Sequence, residues 1–222
     1  MRAAECRLGA ELLQRAYTAE YGSRQGSGAG RAIELLGDVS TDNLGIDAGE
    51  LEQFLAAALR PGPYTSDDAA KLLGVPETEI DRRFCSRKDG TVMPGPAAGY
   101  KIFQRVHHVL SEWRRVEESV RALMAGDMEQ FGMLMTASHA SCRDLYEISC
   151  PELDRLTAVL LSGGAFGARL TGAGFGGCAV ALVPDTRLEG CMEYVREHFY
   201  GDKEPVLFPC KPSAGARVRL LQ

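Results

Sequence analysis

The sequence has little of several features that mark special classes of protein. Aromatic residues make up 7% of the chain, and it contains a single tryptophan. The longest apolar runs, such as residues 178–183, are strand-sized and far short of the about 18 apolar residues that a membrane-spanning helix needs. Basic residues show no excess either, because 25 Lys and Arg stand against 30 Asp and Glu. This balance argues against nucleic acid as the main partner, since phosphate binding requires a basic face.

The N-terminus lacks the apolar core of a secretory signal, and the cysteines lack a recognisable pattern. Residues 1–7 read MRAAECR, which contains no apolar run. The seven cysteines include no C-x-x-C pair, and their number is odd. Such cysteines predict free thiols in a reducing compartment rather than a disulfide framework. We therefore expect a cytoplasmic protein with no membrane partner and no metal site.

Helical periodicity is what the first three quarters of the chain do contain. Apolar side chains recur at helical spacing over residues 1–20, 48–60 and 100–124. Residues typical of helix starts precede further short periodic segments, and these are Ser66-Asp67-Asp68, Pro76, Asp127 and Pro151. The Gly- and Ser-rich residues 22–30 and the Gly- and Pro-rich residues 89–99 predict loops.

The pattern changes after Gly163-Gly164. Strand-like segments follow at residues 168–171, 178–183, 206–208 and 216–220, with an amphipathic helix over residues 188–200. Helices first and strands last predict an α+β fold, in which a helical region precedes a small antiparallel sheet with helices on one face. We expect two regions, a helical one over residues 1–99 and an α+β one over residues 100–222.

The most informative segment is a glycine loop at residues 172–177. Gly172, Gly174 and Gly177 match G-x-G-x-x-G, but a dinucleotide-binding loop needs a helix directly after it, and a strand-like segment follows here. We reject the Rossmann interpretation. The four glycines allow a tight turn or a close approach of the backbone to another group. Spacing alone leaves both a plain hairpin and a ligand-facing loop open.

Residues 170–178 (LTGAGFGGC) resemble the third conserved motif of the galactokinase branch of the GHMP kinases. Residues 138–147 and 149–154 resemble the helix pair just before this motif in the same enzymes, and residues 104–112 resemble a further helix of these enzymes. Residues 5–8 resemble the start of the family's central helical region, and residues 211–216 resemble its closing turn. These segments follow one another in the same order as in the family. The sequence SCRD at residues 141–144 is most similar to that of N-acetylgalactosamine kinases.

The resemblance implies the fold and activity of a sugar kinase, of which this chain matches the C-terminal half. The fold would be a ferredoxin-like GHMP kinase C-terminal domain. The intact enzyme would transfer the γ-phosphate of ATP, with Mg²⁺, to the anomeric hydroxyl of galactose or N-acetylgalactosamine. The glycine loop would line the ATP and sugar cleft with Thr171, Gly172, Ala173, Gly174, Phe175, Gly176 and Gly177.

Other parts of the family pattern do not occur in the sequence. The sugar-recognition motif, the phosphate loop and the catalytic Asp belong to the family's N-terminal half, and no substitute for them is present. We therefore assign no catalytic residue and expect the isolated chain to be inactive, with the missing N-terminal lobe as its partner and an apolar patch exposed. The alternative is a non-catalytic, galactokinase-like sensor or regulatory binding module.

Three histidines and one serine suggest catalytic or metal-binding groups, but their spacing does not support such a role. His107 and His108 are adjacent on a helix, so they cannot form an i, i+4 metal pair, and at most one is buried. His139 shares one predicted helix with Ser138 and Asp144, without a G-x-S-x-G turn, so no hydrolytic triad is expected.

One pair near the end of that helix has a structural interpretation. Arg143 and Asp144 are predicted to form a buried or interfacial hydrogen-bonding pair that positions the following loop. The spacing of Cys142 and Cys150 does not establish a disulfide between them.

Overall fold

Helices form most of the chain, which is described here from a computed structural model covering residues 1–22 and 31–211. The predicted helices over residues 1–20, 48–60 and 100–124 are confirmed. Along the described residues the helices are α1 (Arg2–Tyr21), α2 (Thr41–Leu44), α3 (Ala48–Ala58), α4 (Ser66–Leu73), α5 (Glu77–Phe84), α6 (Ile102–Ala125), α7 (Met128–Asp144), α8 (Pro151–Ser162) and α9 (Leu188–Val195).

Local capping explains several of these helix ends. The Asp127 side chain accepts a hydrogen bond from the Gln130 backbone N–H at the start of α7, as predicted. At the start of α4 the prediction was wrong by one residue. Thr65 is the N-cap, and it exchanges side-chain and backbone hydrogen bonds with Asp68 in a capping box. Ser66 lies inside the helix because the hydroxyl oxygen of Thr65, not that of Ser66, accepts the hydrogen bond from the Asp68 N–H.

Two antiparallel strands form the sheet of the described residues. β1 (Gly167–Thr171) pairs with β2 (Cys178–Leu182), with Gly167 opposite Leu182 and Thr171 opposite Cys178. The predicted helix over residues 188–200 is present as α9 followed by a π-helical turn, Arg196–Tyr200. The α+β layout is thus confirmed.

The predicted strand at residues 206–208 is wrong. These residues form neither helix nor strand, and the side chains of Val206 and Phe208 are 79% and 75% exposed. Pro205 and Pro209 flank the segment, and proline cannot donate a hydrogen bond to a neighbouring strand. The predicted strand at residues 216–220 lies outside the described residues, as do positions 23–30 of the predicted Gly/Ser loop and most of the segment 211–216.

Three clusters of buried apolar side chains hold the described elements together, and the smallest joins α7, α8 and β1. The largest joins α1, α3, α4, α5 and the start of α6, and it includes Leu8, Leu13 and Phe54. The second lies between α8, α9 and the sheet and includes Leu160, Ala168 and Val195. Helix α7 connects these two clusters, because it packs against both α6 and β1.

The apolar face of α6 is buried over only part of its length. Ile102 and Val106 are buried against α1, whereas Trp113, Val116 and Val120 are 41%, 61% and 50% exposed. These three residues continue the same helical face, and we call them the apolar stripe. The exposed apolar patch expected from the absence of an N-terminal lobe stays a prediction, because nothing in the structure shows which surface such a lobe would cover.

Among the described residues, no helix is both long enough and apolar enough to cross a membrane.

Candidate functional site

The glycine loop connects β1 to β2 and depends on positive φ angles. Gly172, Gly174, Gly176 and Gly177 have φ values of 80°, 78°, 125° and 89°. These values favour glycine, because a Cβ makes this region unfavourable for other residues. Phe175 adopts a φ of 58° without being glycine, and its side chain is 62% exposed. The backbone of the loop is therefore held in a strained conformation at its tip.

One side of the loop packs closely on Ile148. A Cβ at Gly174 would overlap the Ile148 carbonyl oxygen and lie 2.9 Å from the Ile148 Cβ. The Phe175 N–H donates a 2.7 Å hydrogen bond to the same oxygen. By contrast, a Cβ at Gly172, Gly176 or Gly177 would meet nothing within 4 Å. The other side of the loop is thus open to a ligand that approaches the backbone.

Arg105 of α6 lies at the centre of a buried ion-pair cluster beneath residues 145–148. Its Nε donates to Glu5 Oε2 at 2.7 Å and its Nη2 to Glu147 Oε2 at 2.7 Å, while its Nη1 donates to the Leu145 carbonyl oxygen. The Lys101 ammonium donates to the other carboxylate oxygen of Glu147. The Arg105 and Glu5 side chains are only 2% and 3% exposed. We call these four residues, Glu5, Lys101, Arg105 and Glu147, the Arg105 cluster.

The electrostatics of this cluster favour its charged form. The hydrogen bond from Lys101, followed by that from Arg105, holds the pKa of Glu147 below its usual value. Glu147 is therefore an anion at neutral pH, and its backbone has a φ of 57°, which is uncommon for a residue other than glycine.

Arg2 links the first turn of α1 to the glycine loop. Its Nε donates to the Tyr146 carbonyl oxygen at 3.1 Å and its Nη2 to the Glu147 carbonyl oxygen at 2.6 Å. The guanidinium carbon also lies 5.2 Å from the centre of the Phe175 ring, within cation–π distance. The exposed aromatic ring at the tip of the loop therefore has a cationic neighbour.

His139 supports the loop from the side of β1. Its Nδ1 accepts a 3.3 Å hydrogen bond from the Leu170 backbone N–H, and its Nε2 lies 3.1 Å from Asp154 Oδ1 and 3.0 Å from Thr157 Oγ1. These partners assign a neutral ring that carries its proton on Nε2. Ser149 in turn donates to Asp154 at 2.5 Å. The chain of contacts ends on the strand that enters the glycine loop.

This arrangement predicts that acid destabilises the protein. Burial lowers the pKa of His139, opposed by Asp154 and assisted by Arg143 and Arg169, and burial also lowers the pKa of His108. The unfolded chain therefore binds these protons first, and folding stability should fall as the pH drops below the usual histidine value of about 6.5. We expect a lower melting temperature at pH 5.5 than at pH 7.5.

The matched variants for this prediction are His139→Gln and His198→Gln. The first should reduce the pH dependence of the melting temperature, because the buried titrating ring is gone. The second changes an exposed histidine and should retain the parent slope. A melting temperature that is constant or rises between pH 7.5 and pH 5.5 would contradict the assignment.

The other residues considered from the sequence lie in separate places. His108 is buried, where its Nδ1 contacts Ser141 Oγ at 2.8 Å, and His107 is exposed, so the prediction that at most one is buried is confirmed. Ser138 donates to Glu112, not to His139. No triad is formed, as expected.

The predicted hydrogen-bonding pair of Arg143 and Asp144 is present, but it is not buried. They pair with each other at 2.7 Å, but their side chains are 45% and 57% exposed, so the pair lies on the surface. The loop that follows is instead contacted by Arg105, which pairs with Glu147 and donates to the Leu145 carbonyl oxygen. Sequence patterns missed this pair because Arg105 and Glu147 are 42 positions apart and belong to segments with many other charges.

Candidate metal ligands and cysteines form neither a metal cluster nor a disulfide within the described part of the chain. No group of three or more His, Cys, Asp or Glu side chains there could hold a metal ion. The seven cysteines are free.

Residues 119–201 match a family model described as GHMP kinases C terminal. The chain is 38% identical over 152 residues to a galactokinase from Saccharomyces cerevisiae, covering 64% of this chain and 28% of the relative. It is 47% identical over 120 residues to a galactokinase from Homo sapiens, covering 54% and 30%. Among solved structures, a Lactococcus lactis galactokinase complexed with galactose aligns with 28% identity, a TM-score of 0.46 and coverage of 84% and 35%. The chain thus spans about 30% of the length of the curated relatives that it matches.

Proposed function

We propose that this chain, which carries a GHMP kinase C-terminal domain and is homologous to galactokinases, is the C-terminal part of a galactokinase-type sugar kinase. The observation that carries the proposal is the glycine loop. Its motif matches the family, one of its sides is packed on Ile148, and its other side is open at Gly172, Gly176 and Gly177. A backbone held in this way suits close approach of a polar ligand.

The proposed reaction is transfer of the γ-phosphate of ATP to the anomeric hydroxyl of galactose or N-acetylgalactosamine. Residues 171–177 would line one wall of the cleft. The SCRD segment at residues 141–144 favours N-acetylgalactosamine, whereas the relatives named as galactokinases favour galactose. ATP and Mg²⁺ would be used by the intact enzyme.

Within this proposal the chain has two regions. Residues 1–99 form the central helical region, and residues 100–222 form the GHMP kinase C-terminal domain. The largest buried core, which lies mainly within the first region, supports this division. The matched family model at residues 119–201 lies within the second.

The isolated chain is proposed to be inactive. Phosphoryl transfer needs donors or metal ions around the β- and γ-phosphates and a group that orients the acceptor hydroxyl. The glycine loop and Arg2 supply only part of this environment. The remaining groups would come from a further lobe that contains the phosphate loop and the catalytic Asp.

We expect no ADP release above background when the 222-residue chain is incubated with ATP, Mg²⁺ and either sugar. A longer protein from the same source that contains this chain should release ADP in a sugar-dependent manner, and the two sugars compared side by side identify the substrate. Gly174→Ala in the longer protein should reduce the rate, because the new Cβ displaces the loop from Ile148.

The matched control is Gly177→Ala, which also has a positive φ but meets no neighbouring atom. It should lose less activity than the Gly174 variant. Sugar-dependent turnover by the purified 222-residue chain would contradict the proposed inactivity. A longer protein that binds sugar without turnover would favour the sensor function.

The native mass provides a complementary measurement. Capture of the protein from its source cells with an antibody to the C-terminal region should yield a species heavier than 24.0 kDa, with peptides from outside these 222 residues. A native species of 24.0 kDa would favour a regulatory binding module over a kinase. The seven free cysteines support a reducing location, and we propose the cytoplasm.

A further inference from the structure

We infer that Glu147 is a positioning residue for the glycine loop. Its carboxylate, held by Arg105 and Lys101, fixes the conformation of residues 145–148, and these residues hold the loop. That the loop faces a ligand rests on the function proposed above. The coupling between Glu147 and the loop rests on contacts among the described residues and stands independently of it.

The backbone of Glu147 is in an unfavourable region that its surroundings must maintain. Its φ is 57°, and a residue other than glycine occupies this region only when contacts compensate the cost. Arg2 from α1 holds its carbonyl oxygen at 2.6 Å, and Arg105 from α6 holds its carboxylate at 2.7 Å. Lys101 holds the second carboxylate oxygen. Two helices thus clamp one residue through both its main chain and its side chain.

The next residue transmits this position to the glycine loop. The Ile148 N–H donates to the Cys142 carbonyl oxygen at 3.0 Å, and the Ile148 carbonyl oxygen accepts the Phe175 N–H at 2.7 Å. The same oxygen lies directly against Gly174. A change of the backbone at Glu147 would move this oxygen away from Phe175 N–H. The loop would then lose its hydrogen bond to the body of the protein.

The experiment is hydrogen exchange of single amides by NMR in the 222-residue chain and in Glu147→Gln. The substitution keeps the size of the side chain and removes its charge. We expect protection of the Phe175 amide to fall about tenfold or more. The Phe166 N–H, which donates to the Leu182 carbonyl oxygen at 2.8 Å beside the same strands, is the internal reference. Its protection should fall much less.

Two further variants make the result specific. Asp144→Asn removes an exposed carboxylate three positions away and should leave both amides unchanged. Lys101→Met removes a partially exposed partner of Glu147 and should give a smaller loss at Phe175, so it provides the measurement if Glu147→Gln does not fold. Equal losses at Phe175 and Phe166 would reduce Glu147 to a general stability role and overturn the inference. Unchanged Phe175 protection in Glu147→Gln would overturn it as well.

The measurement uses neither sugar nor nucleotide. A failed kinase assay would therefore leave the coupling intact. Conversely, a failed exchange experiment would leave the proposed reaction untouched. In a longer, active protein, Glu147→Gln should raise the KM for substrate by more than its loss of thermal stability would explain. Asp144→Asn again provides the comparison.

Discussion

Gly167→Ala should destabilise the protein by about 3 kcal/mol, the upper end of the usual cost of overpacking, because the new Cβ meets fixed backbone. A Cβ at Gly167 would overlap the carbonyl group of Gly132, and a Cβ at Gly132 would overlap the carbonyl group of Phe166. Helix α7 and strand β1 thus meet backbone to backbone at these two glycines. No side chain can rotate away to make room, so the helix and the strand would have to separate.

Thermal unfolding measures this effect directly. A loss of about 3 kcal/mol in a chain of this length corresponds to a melting temperature lower by about 6–12 °C. Gly190→Ala is the matched control, since it also adds one methyl group to a glycine but meets nothing within 4 Å in α9. It should leave the melting temperature unchanged or raise it slightly, because alanine favours helix. Equal melting temperatures for the parent and the Gly167 variant would contradict the close crossing.

Arg105→Met should cost about 3–5 kcal/mol, the range expected when one partner of a buried ion pair is removed. The substitution preserves much of the apolar stem but leaves the Glu5 carboxylate, 3% exposed, without its guanidinium partner. It also removes the hydrogen bond to the Leu145 carbonyl oxygen. Urea unfolding of the parent and the variant gives the difference in the free energy of unfolding.

A double-mutant cycle separates the lost pair from lost packing. Glu5→Met combined with Arg105→Met replaces both buried charges with apolar groups and should be less unstable than the sum of the single variants. Arg143→Met removes an exposed arginine from its pair with Asp144 and should cost only about 0.2–1 kcal/mol. Equal effects of Arg105→Met and Arg143→Met would mean that burial adds nothing to the first pair.

Local signals in the sequence predicted the elements that depend on local chemistry. Asp127 caps α7, Pro151 begins α8, and the predicted strands at residues 168–171 and 178–183 agree with β1 and β2 to within one residue at each end. Capping and periodicity act within a few residues, so a single sequence contains enough information to place them. The glycine loop was likewise identified from its composition.

The support of the loop could not be read from the sequence. Glu5 and Arg105 are 100 positions apart, and a charged residue in a helix usually faces solvent. Nothing in the identity of Glu147 indicates a positive φ, and no local pattern marks Gly132 and Gly167 as a contact. These features arise when separate helices and strands meet. The exposure of the Arg143 and Asp144 pair could not be predicted for the same reason, since adjacency in sequence does not determine burial.

The position of Trp113 has a consequence for spectroscopy. It is the single tryptophan of the chain, and it lies 41% exposed in the apolar stripe of α6 rather than among the contacts of the glycine loop. Intrinsic emission excited at tryptophan wavelengths therefore reports on the polarity around this stripe. A blue shift would indicate that another surface has covered the stripe, whereas occupation of the glycine loop would need a reporter placed at Phe175.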